Sequence, residues 1–340
     1  MKSKRFFDSF PPPTFLTTPS VGIAIENDVL RVVDFANKHG QTTLKKTDEI
    51  KLEAGTLNAG DIAKPDKLAA AFQKIRTDHG VRYARLALPE EKSYVYEIVL
   101  PMPEAGETLA EAVEFSLSQN IPLSPAEVVF DFEVIEGPFP VNSVQSVRLI
   151  VCAYPSVLAE TWADILKQAG ITAISLIPES QAVARAVVQD GDMRTVILAH
   201  FLKDKTILAI VSQGFVCFAT TVSHAIENPE KILASHEGEK IAESVELLAV
   251  RDELAKIYSY WMSKQAIKSP KDPKSIKSII VTGHVSNMSD VSDYLSKNIS
   301  IPAMLGNVWV NAFSLDKFVP EIEFEQSLPL AAAIGVALQK

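Results

Sequence analysis

The stretch Ser278–Trp309 alternates between apolar runs and a helical pattern, and the rest of the chain can be arranged around it. The apolar, β-branched run Ile279–Val281 predicts a buried strand, which ends at Thr282–His284. Apolar residues three and four positions apart then predict a helix, before a second extended run at Ala303–Leu305. Strand, helix and strand in this order form the crossover unit of a parallel sheet. Gly283 therefore stands at the carboxyl end of a strand, where open α/β sheets bind ligands.

Two hairpins are predicted where short apolar runs are joined by polar turn residues. The runs are Val21–Ile25 with Val29–Phe35, and Thr195–Ala199 with Thr206–Val211. The first turn is Glu26–Asp28 and the second is Phe201–Lys205. Further strands and helices follow each hairpin, although no sequence repeat of roughly 20–50 residues accompanies them. The pattern therefore predicts a duplicated topology, with two α/β halves that each begin at a hairpin.

Residues 89–152 differ in character from the chain before them. Strands are predicted at Tyr94–Leu100, Val128–Ile135 and Val147–Ala153. Thr108 and Glu111 form a capping-box pattern, which predicts the start of a helix that runs to Asn120. The second and third strands are separated by Gly137–Ser146, which predicts a polar loop with two prolines. One helix with three strands in about sixty residues predicts a small α+β module inserted into the first half.

The remaining elements complete the two halves. Strands are predicted at Glu49–Leu52, Tyr83–Leu88, Ile174–Ile177 and Phe215–Val222. Helices are predicted from Pro65 to near Gly80, from about Ser156 to Gly170, and over Glu179–Val188, about Glu239–Met262 and Leu330–Leu338. Residues 226–239 predict a loop, and Ser269–Pro273 predicts a linker. We divide the chain into a tail (1–19), a first half (20–88 and 153–190), the inserted module (89–152) and a second half (191–340).

Composition narrows the class of function. The chain has 340 residues, of which 47% are hydrophobic, and a formal net charge of −9. This predicts about two globular domains and argues against a broad nucleic-acid surface. Cys152 and Cys217 lie in apolar runs and predict buried thiols instead of a disulfide framework. Because there is no signal peptide and no apolar run near the roughly 20 residues that span a bilayer, we expect a cytoplasmic protein.

The common catalytic patterns are missing from the sequence. Its six histidines have no metal-ligand spacing with cysteines or carboxylates. It contains neither a phosphate-binding Walker A loop nor a serine or cysteine nucleophile motif. Trp162, Trp261 and Trp309 lie in apolar patterns and are predicted to belong to the core.

Residues 1–19 combine cations, aromatic residues and a proline run. They include Lys2, Lys4, Arg5, Phe6, Phe7, Phe10 and Pro11–Pro13. Two interpretations remain open for this segment. It is either a poorly ordered tail or a weak contact with a partner or with anionic lipid. Three cations at about 1 kcal/mol each would not hold the protein stably on a membrane.

Several motifs in order and spacing carry a family resemblance. They are Ser116–Pro122, Asp131–Val134, Ala169–Ile171 with Glu179-Ser180, Asp252-Glu253 with Tyr260-Trp261, and Gly306–Asn311. With them the chain resembles the PilM family of actin-like cytoplasmic proteins of type IV pilus assembly, itself similar to the cell-division protein FtsA. The resemblance extends from about Val21 to Gln339. It implies an α/β actin-like fold (a duplicated ribonuclease H-like fold) with an inserted SHS2-type module at 89–152.

The resemblance also implies ATP and magnesium as cofactors, held by two Asp-x-Gly hairpins. The first aspartate and glycine positions hold Ala24 and Glu26, and the second hold His200 and Leu202. The other family positions for the nucleotide fall on Asn27, Lys203, Thr206, Gly283 and His284. Losing several phosphate hydrogen bonds at about 1–3 kcal/mol each would remove most of the roughly 8 kcal/mol of micromolar binding. The four changed positions therefore predict a degraded site without ATP hydrolysis.

Two classes of function follow from the resemblance. The first is a scaffold at the cytoplasmic side of the inner membrane, whose module and first half form a groove for the N-terminal cytoplasmic peptide of PilN, a bitopic membrane protein. The peptide would dock in an extended form, and Thr108–Asn120 with Tyr94–Leu100 would be the first region to mutate. The second is an active actin-like ATPase similar to FtsA. The two Asp-x-Gly positions discriminate between them, and their residues favour the scaffold.

Overall fold

The computed structural model describes residues 19–26, 28–38, 41–103, 106–141, 143–223, 245–268, 275–284 and 288–338. Its strands are β1 (Val21–Ile25), β2 (Val29–Lys38), β3 (Gln41–Lys51), β4 (Leu57–Asn58), β5 (Asp61–Ile62), β6 (Tyr83–Leu88), β7 (Tyr94–Pro101), β8 (Val128–Val141), β9 (Val144–Pro155), β10 (Thr172–Pro178), β11 (Thr195–Phe201), β12 (Lys205–Ser212), β13 (Phe215–Ser223), β14 (Ile276–Gly283) and β15 (Ala303–Leu305). Its α-helices are α1 (Pro65–His79), α2 (Leu109–Asn120), α3 (Ser156–Gln168), α4 (Glu179–Val187), α5 (Val245–Lys268), α6 (Met288–Ile299), α7 (Phe324–Ser327) and α8 (Ala331–Ala337). Single 3-10 turns lie at Glu90–Lys92, Pro125–Glu127 and Leu328–Leu330.

The first half is built on a five-stranded sheet in the order β10-β6-β1-β2-β3. Strands β10, β6 and β1 run parallel, and β1, β2 and β3 form an antiparallel meander. Helices α1 and α3 bury Phe72 and Trp162 against one face of this sheet. As the sequence predicts, α1 begins with Pro65, and Gly80 ends it in the left-handed conformation that glycine adopts at low cost.

The second half continues into the module through one sheet. Eight strands follow the order β15-β14-β11-β12-β13-β7-β9-β8, and β13 pairs with β7 at Phe218 and Tyr96. The module still has its own core, in which Val113 and Leu117 of α2 pack against Leu149 of β9. The module therefore has a core of its own, but its strands belong to the same sheet as those of the second half. The domain limits remain predictions, and β9 runs three residues beyond the predicted end of the module.

The predicted polar loop Gly137–Ser146 is instead a β-ribbon. Strands β8 and β9 continue through it, with Phe139 opposite Ser146, and turn only between Val141 and Val144. Two prolines are tolerated there because β8 is the outermost strand of the sheet. A proline on an edge strand lacks only an N–H group that would have pointed away from the ladder. The prediction of a loop at Gly137–Ser146 was therefore wrong.

Several predictions fall on residues outside the described ranges. They concern the tail at residues 1–18, Asn27, the loop at 226–239, the linker at 269–273 and the first residues of the long helix. Within the described ranges that helix covers Val245–Lys268. The three tryptophans are buried, as predicted, and both cysteines are free thiols, one buried and one half-buried.

Helices α4 and α8 pack against each other at the junction of the two halves. A Cβ atom on Gly335 of α8 would lie 1.7 Å from the carbonyl oxygen of Ala182 in α4. A Cβ atom on Gly22 of β1 would lie 2.2 Å from the carbonyl oxygen of Ala333. Two glycines therefore permit α8 to lie directly on α4 and on the first sheet.

The end of α4 is also tied to the second half. The Asn311 side chain donates hydrogen bonds to the carbonyl oxygens of Arg185 (2.8 Å) and Val188 (2.7 Å). Beside it, the Phe313 ring meets the Phe35 ring of β2 edge to face, with centroids 6.4 Å apart. These contacts also join the two halves.

Candidate functional site

The turns of the two predicted hairpins meet between the halves, and we call this junction of the turns the cleft. The Lys203 Nζ atom lies 2.8 Å from Asp28 Oδ2, so the turn after β11 contacts the turn after β1 directly. Both side chains are about half exposed. The structure thus brings Lys203 of the predicted nucleotide site to the first hairpin, whereas Asn27 lies outside the described residues.

The first hairpin is filled by its own side chains. Ala24 is fully buried in the core. Glu26 is also buried, and its carboxylate pairs with the Arg31 guanidinium. Arg31 Nε lies a further 2.7 Å from Glu49 Oε1 on the adjacent strand. At the position where the family has a glycine, this chain therefore has a carboxylate already neutralised by a neighbouring cation.

In the second hairpin, too, the family positions for aspartate and glycine hold buried side chains, those of His200 and Leu202. His200 Nδ1 lies 2.8 Å from Thr282 Oγ1, and the ring is almost completely buried. Burial, together with the charges of Arg31 and Lys205, lowers the pKa of His200 to about 3, so the ring is neutral at physiological pH. Leu202 is buried, and its N–H donates to the carbonyl oxygen of Lys205. Thr206, a predicted site residue, is fully buried on β12.

A buried ionic cluster lies behind the second hairpin. Lys205 Nζ is 2.7 Å from Glu91 Oε2 and 3.7 Å from Glu179 Oε2. Burial alone would lower the pKa of Lys205, but the carboxylates of Glu179 and Glu91 outweigh it and raise that pKa. His200 Nε2 lies 3.8 Å from Glu179 Oε1. Among the described residues, neither oxygen of Glu179 has a hydrogen-bond partner.

Two carboxyl groups of this cluster have strongly perturbed pKa values. Burial raises the pKa of Glu179 to about 8, although Lys205 opposes the shift. Burial likewise raises the pKa of Glu90 to about 7, against hydrogen bonds from the Ser180 N–H and hydroxyl at 2.7 and 2.9 Å. Sequence reasoning missed Glu90, Glu91 and Glu179 as site residues. For Glu179 the sequence did contain a signal, because this single charged residue stands between the apolar end of β10 and the apolar helix α4.

Gly283 and His284 lie where the sequence predicts, at the carboxyl end of β14. Gly283 has a φ of +113°, and a Cβ atom there would lie 1.9 Å from the carbonyl oxygen of Phe201. The His284 N–H donates to the same oxygen at 2.8 Å. Glycine is therefore required here by the close approach of β14 to β11, whatever the cleft binds.

A second surface lies between the module and the first half. Glu133 of β8 is close enough to Arg185 of α4 to oppose the lowering of the Arg185 pKa, which burial causes. Burial, then Glu90 and Asp131, raise the pKa of Cys152 on the same face of the module to about 12. Arg185 is half-buried and forms no salt bridge with any residue that the structure describes. We call this surface, defined by Asp131, Glu133 and Arg185, the module groove.

The two elements predicted as the first docking region differ in accessibility. Strand β7 is paired with β9 along its whole length and with β13 at Tyr96, so it lies inside the sheet. Helix α2 exposes Phe115 to 78% of its possible area. The long strand β8 is the open edge of the sheet. Within the described ranges there is no group of three His, Cys, Asp or Glu residues arranged to hold a metal ion.

Comparisons with known proteins identify relatives of this fold. The family model described as type IV pilus assembly protein PilM matches residues 22–228, more than half of the chain. No curated protein matches the sequence. A solved structure described as a PilM-PilN type IV pilus biogenesis complex aligns with a TM-score of 0.70 and 19% identity, over 94% of this chain and 98% of that chain. Because that likeness extends over both halves, the predicted actin-like α/β fold is confirmed.

Two further solved structures align less closely, each with a TM-score of 0.46. One is the ethanolamine utilization protein EutJ from Carboxydothermus hydrogenoformans, at 11% identity over 93% of this chain and 88% of that chain. The other is the cytoplasmic domain of EpsL, an inner membrane component of the type II secretion system of Vibrio cholerae. It has 10% identity over 87% of this chain and 99% of that chain.

Proposed function

The chain belongs to the PilM family of type IV pilus assembly proteins, and from this premise we propose that it is a scaffold that docks the N-terminal cytoplasmic peptide of a PilN-like inner-membrane protein. The observation that carries the proposal is the likeness of the whole chain to a solved PilM-PilN complex. No helix among the described residues combines the length and apolar character needed to cross a bilayer. In this proposal the partner supplies the link to the membrane.

The module groove is the docking surface that we favour. An extended peptide can pair its backbone only with a strand that has an open edge, and β8 has one because it lies at the edge of the eight-stranded sheet. Asp131 and Glu133 of β8 are exposed at this surface. Arg185 stands opposite with its guanidinium uncommitted to a salt bridge, so it is available to a carbonyl or carboxylate group of the peptide. A half-buried arginine in this state is stabilised by a partner that completes its hydrogen bonds.

Replacing Arg185 with alanine should weaken binding of a PilN-like N-terminal peptide by about tenfold or more. A hydrogen bond to a charged group contributes about 1.5–3 kcal/mol, and about 1.4 kcal/mol corresponds to a factor of ten. The measurement is fluorescence anisotropy of the labelled peptide titrated with the full chain. Arg76→Ala, an exposed change on α1 at the far face of the first sheet, is the matched control. Equal affinities for both variants would move the docking site away from the module groove, and Phe115→Ala would then test α2.

The cleft residues do not fit a magnesium-bound triphosphate, and this supports a scaffold that lacks ATPase activity. Ala24 offers no carboxylate for magnesium waters, and the neutral His200 is bonded to Thr282. Glu26 and its cation Arg31 occupy the position where a glycine would admit phosphate to the backbone. Binding would require breaking these buried contacts and leaving their charged and polar groups unpaired, at several kcal/mol. We therefore assign the cofactor positions no catalytic role.

We expect no saturable binding of magnesium-ATP at micromolar concentrations and no phosphate release above background. Isothermal titration and a phosphate-release assay on the full chain measure both. The combined variant Ala24→Asp, Glu26→Gly, His200→Asp and Leu202→Gly restores the family residues and should bind ATP more tightly than the natural chain. Turnover by the natural chain would contradict the proposal and favour the alternative, an active ATPase.

A further inference from the structure

The cleft between the halves is bridged by ion pairs whose partners belong to opposite sides. On one side, Asp28 follows β1 and Glu91 follows β6. On the other side, Lys203 and Lys205 belong to the second hairpin. The Lys203–Asp28 pair measures 2.8 Å and the Lys205–Glu91 pair 2.7 Å. Both pairs therefore lie at hydrogen-bonding distance and join residues that are more than a hundred positions apart in the chain.

The two pairs differ in their exposure to water. The side chains of Lys203 and Asp28 are 57% and 47% exposed, so salt screens their attraction. Those of Lys205 and Glu91 are only 3% and 14% exposed, and salt screens them much less. Loss of one partner of the inner pair would leave a poorly compensated charge in the interior. The inner pair, Lys205–Glu91, therefore contributes most of the attraction between the two sides. The outer pair, Lys203–Asp28, joins the two sides where they are exposed to water.

The two halves are also joined by the packing of α4 on α8 and by the Asn311 hydrogen bonds. In a two-half fold, a nucleotide bound between the hairpin turns would hold the halves together by contacting both. Here the side chains themselves make the connection.

We infer that Asp28–Lys203 and Glu91–Lys205 form an internal latch, which holds the two halves closed with no nucleotide present. The latch does the work that a bound phosphate group would do, because each lysine of the second hairpin finds its anion outside the second half. Asp28 lies in the first half, and Glu91 lies in the segment that joins β6 of the first half to β7 of the module. A scaffold with such a latch presents one fixed arrangement of its module and second half to a partner. This inference concerns the cleft and does not depend on where the peptide docks.

The test is the distance between the halves, measured by pulsed electron spin resonance on the full chain without nucleotide. Spin labels are placed at Gln73→Cys and Lys297→Cys, which are exposed in the first and second half. Cys152 and Cys217 are replaced by alanine in this background. The closed chain should give one narrow distance distribution. Adding magnesium-ATP should leave that distribution unchanged.

Charge reversal then examines the latch itself. Asp28→Lys or Lys203→Asp alone should broaden the distribution and extend it by several ångström, and the double exchange should restore the narrow one. Glu91→Gln should broaden it at any salt concentration. Lys256→Glu, which breaks an ion pair within α5, is the matched control and should change nothing. A broad distribution in the natural chain that ATP narrows would overturn the inference, as would single reversals that leave the distance unchanged.

Discussion

Replacing Gly283 with alanine should lower the free energy of unfolding by roughly 3 kcal/mol or more. The new Cβ atom would lie 1.9 Å from the carbonyl oxygen of Phe201 and 2.6 Å from its nitrogen, both backbone atoms of the adjacent strand. Overpacking of a rigid site costs about 1–3 kcal/mol, and a non-glycine residue at positive φ costs about 1–3 kcal/mol more. Urea unfolding followed by circular dichroism measures the loss.

Gly191→Ala is the control that separates the cost of overpacking from the cost of a non-glycine residue at positive φ. Gly191 also has a positive φ (+81°), but a Cβ atom there would meet nothing within 4 Å. We expect it to lose only the conformational part, about 1–2 kcal/mol. Similar losses in both variants would show that β14 and β11 do not approach as closely as described. A larger loss of stability at Gly283 would show that the close packing of β14 on β11 is what requires glycine at this position.

Replacing Glu179 with glutamine should remove a large pH dependence of stability. Burial raises the pKa of Glu179 from 4.5 to about 8, so the folded chain retains a proton that the unfolded chain releases. The stabilisation is complete below pH 4.5 and is lost as the pH rises through about 8, by up to about 1.4 kcal/mol per pH unit. The glutamine side chain does not titrate. Between about pH 6 and about pH 8 the natural chain should therefore lose about 2 kcal/mol more of its free energy of unfolding than the variant does.

Urea unfolding of both proteins at the two pH values gives this difference directly. Glu114→Gln, an exposed change on α2, serves as the control and should follow the natural chain. Some pH dependence should remain in the Glu179 variant, because the raised pKa of Glu90, about 7, acts in the same direction. If the variant kept the full slope of the natural chain, Glu179 could not be the buried group that titrates.

Helices and hairpins whose ends are determined by neighbouring residues could be predicted from the sequence. The start of α1 at Pro65 and its end at Gly80 depend on adjacent residues alone. Helix α2 begins with a capping box in which Thr108 and Glu111 bond each other's backbone N–H groups. The two hairpins likewise follow from short apolar runs joined by polar turn residues. In each case the deciding residues lie within about four positions of each other.

The ionic cluster could not be predicted, since its partners are distant in the chain. Lys205 and Glu91 are 114 positions apart, and no periodicity marks such a pair. The position of Gly283 at a strand end could be predicted, yet its neighbour Phe201 became known only from the sheet order. The pairing of β7 with β13 escaped prediction for the same reason. Patterns report which face of an element is buried, but not which element covers it.

The packing of α8 on β1 has a consequence for the order of folding during synthesis. Gly22 of β1 is covered by Ala333 and Ala337 of α8, so part of one face of the first sheet stays uncovered until more than three hundred further residues have been made. Contacts of such separation are costly in chain entropy and form late. We expect the nascent first half to expose an apolar sheet face, which chaperones recognise, and to complete its core only when α8 arrives.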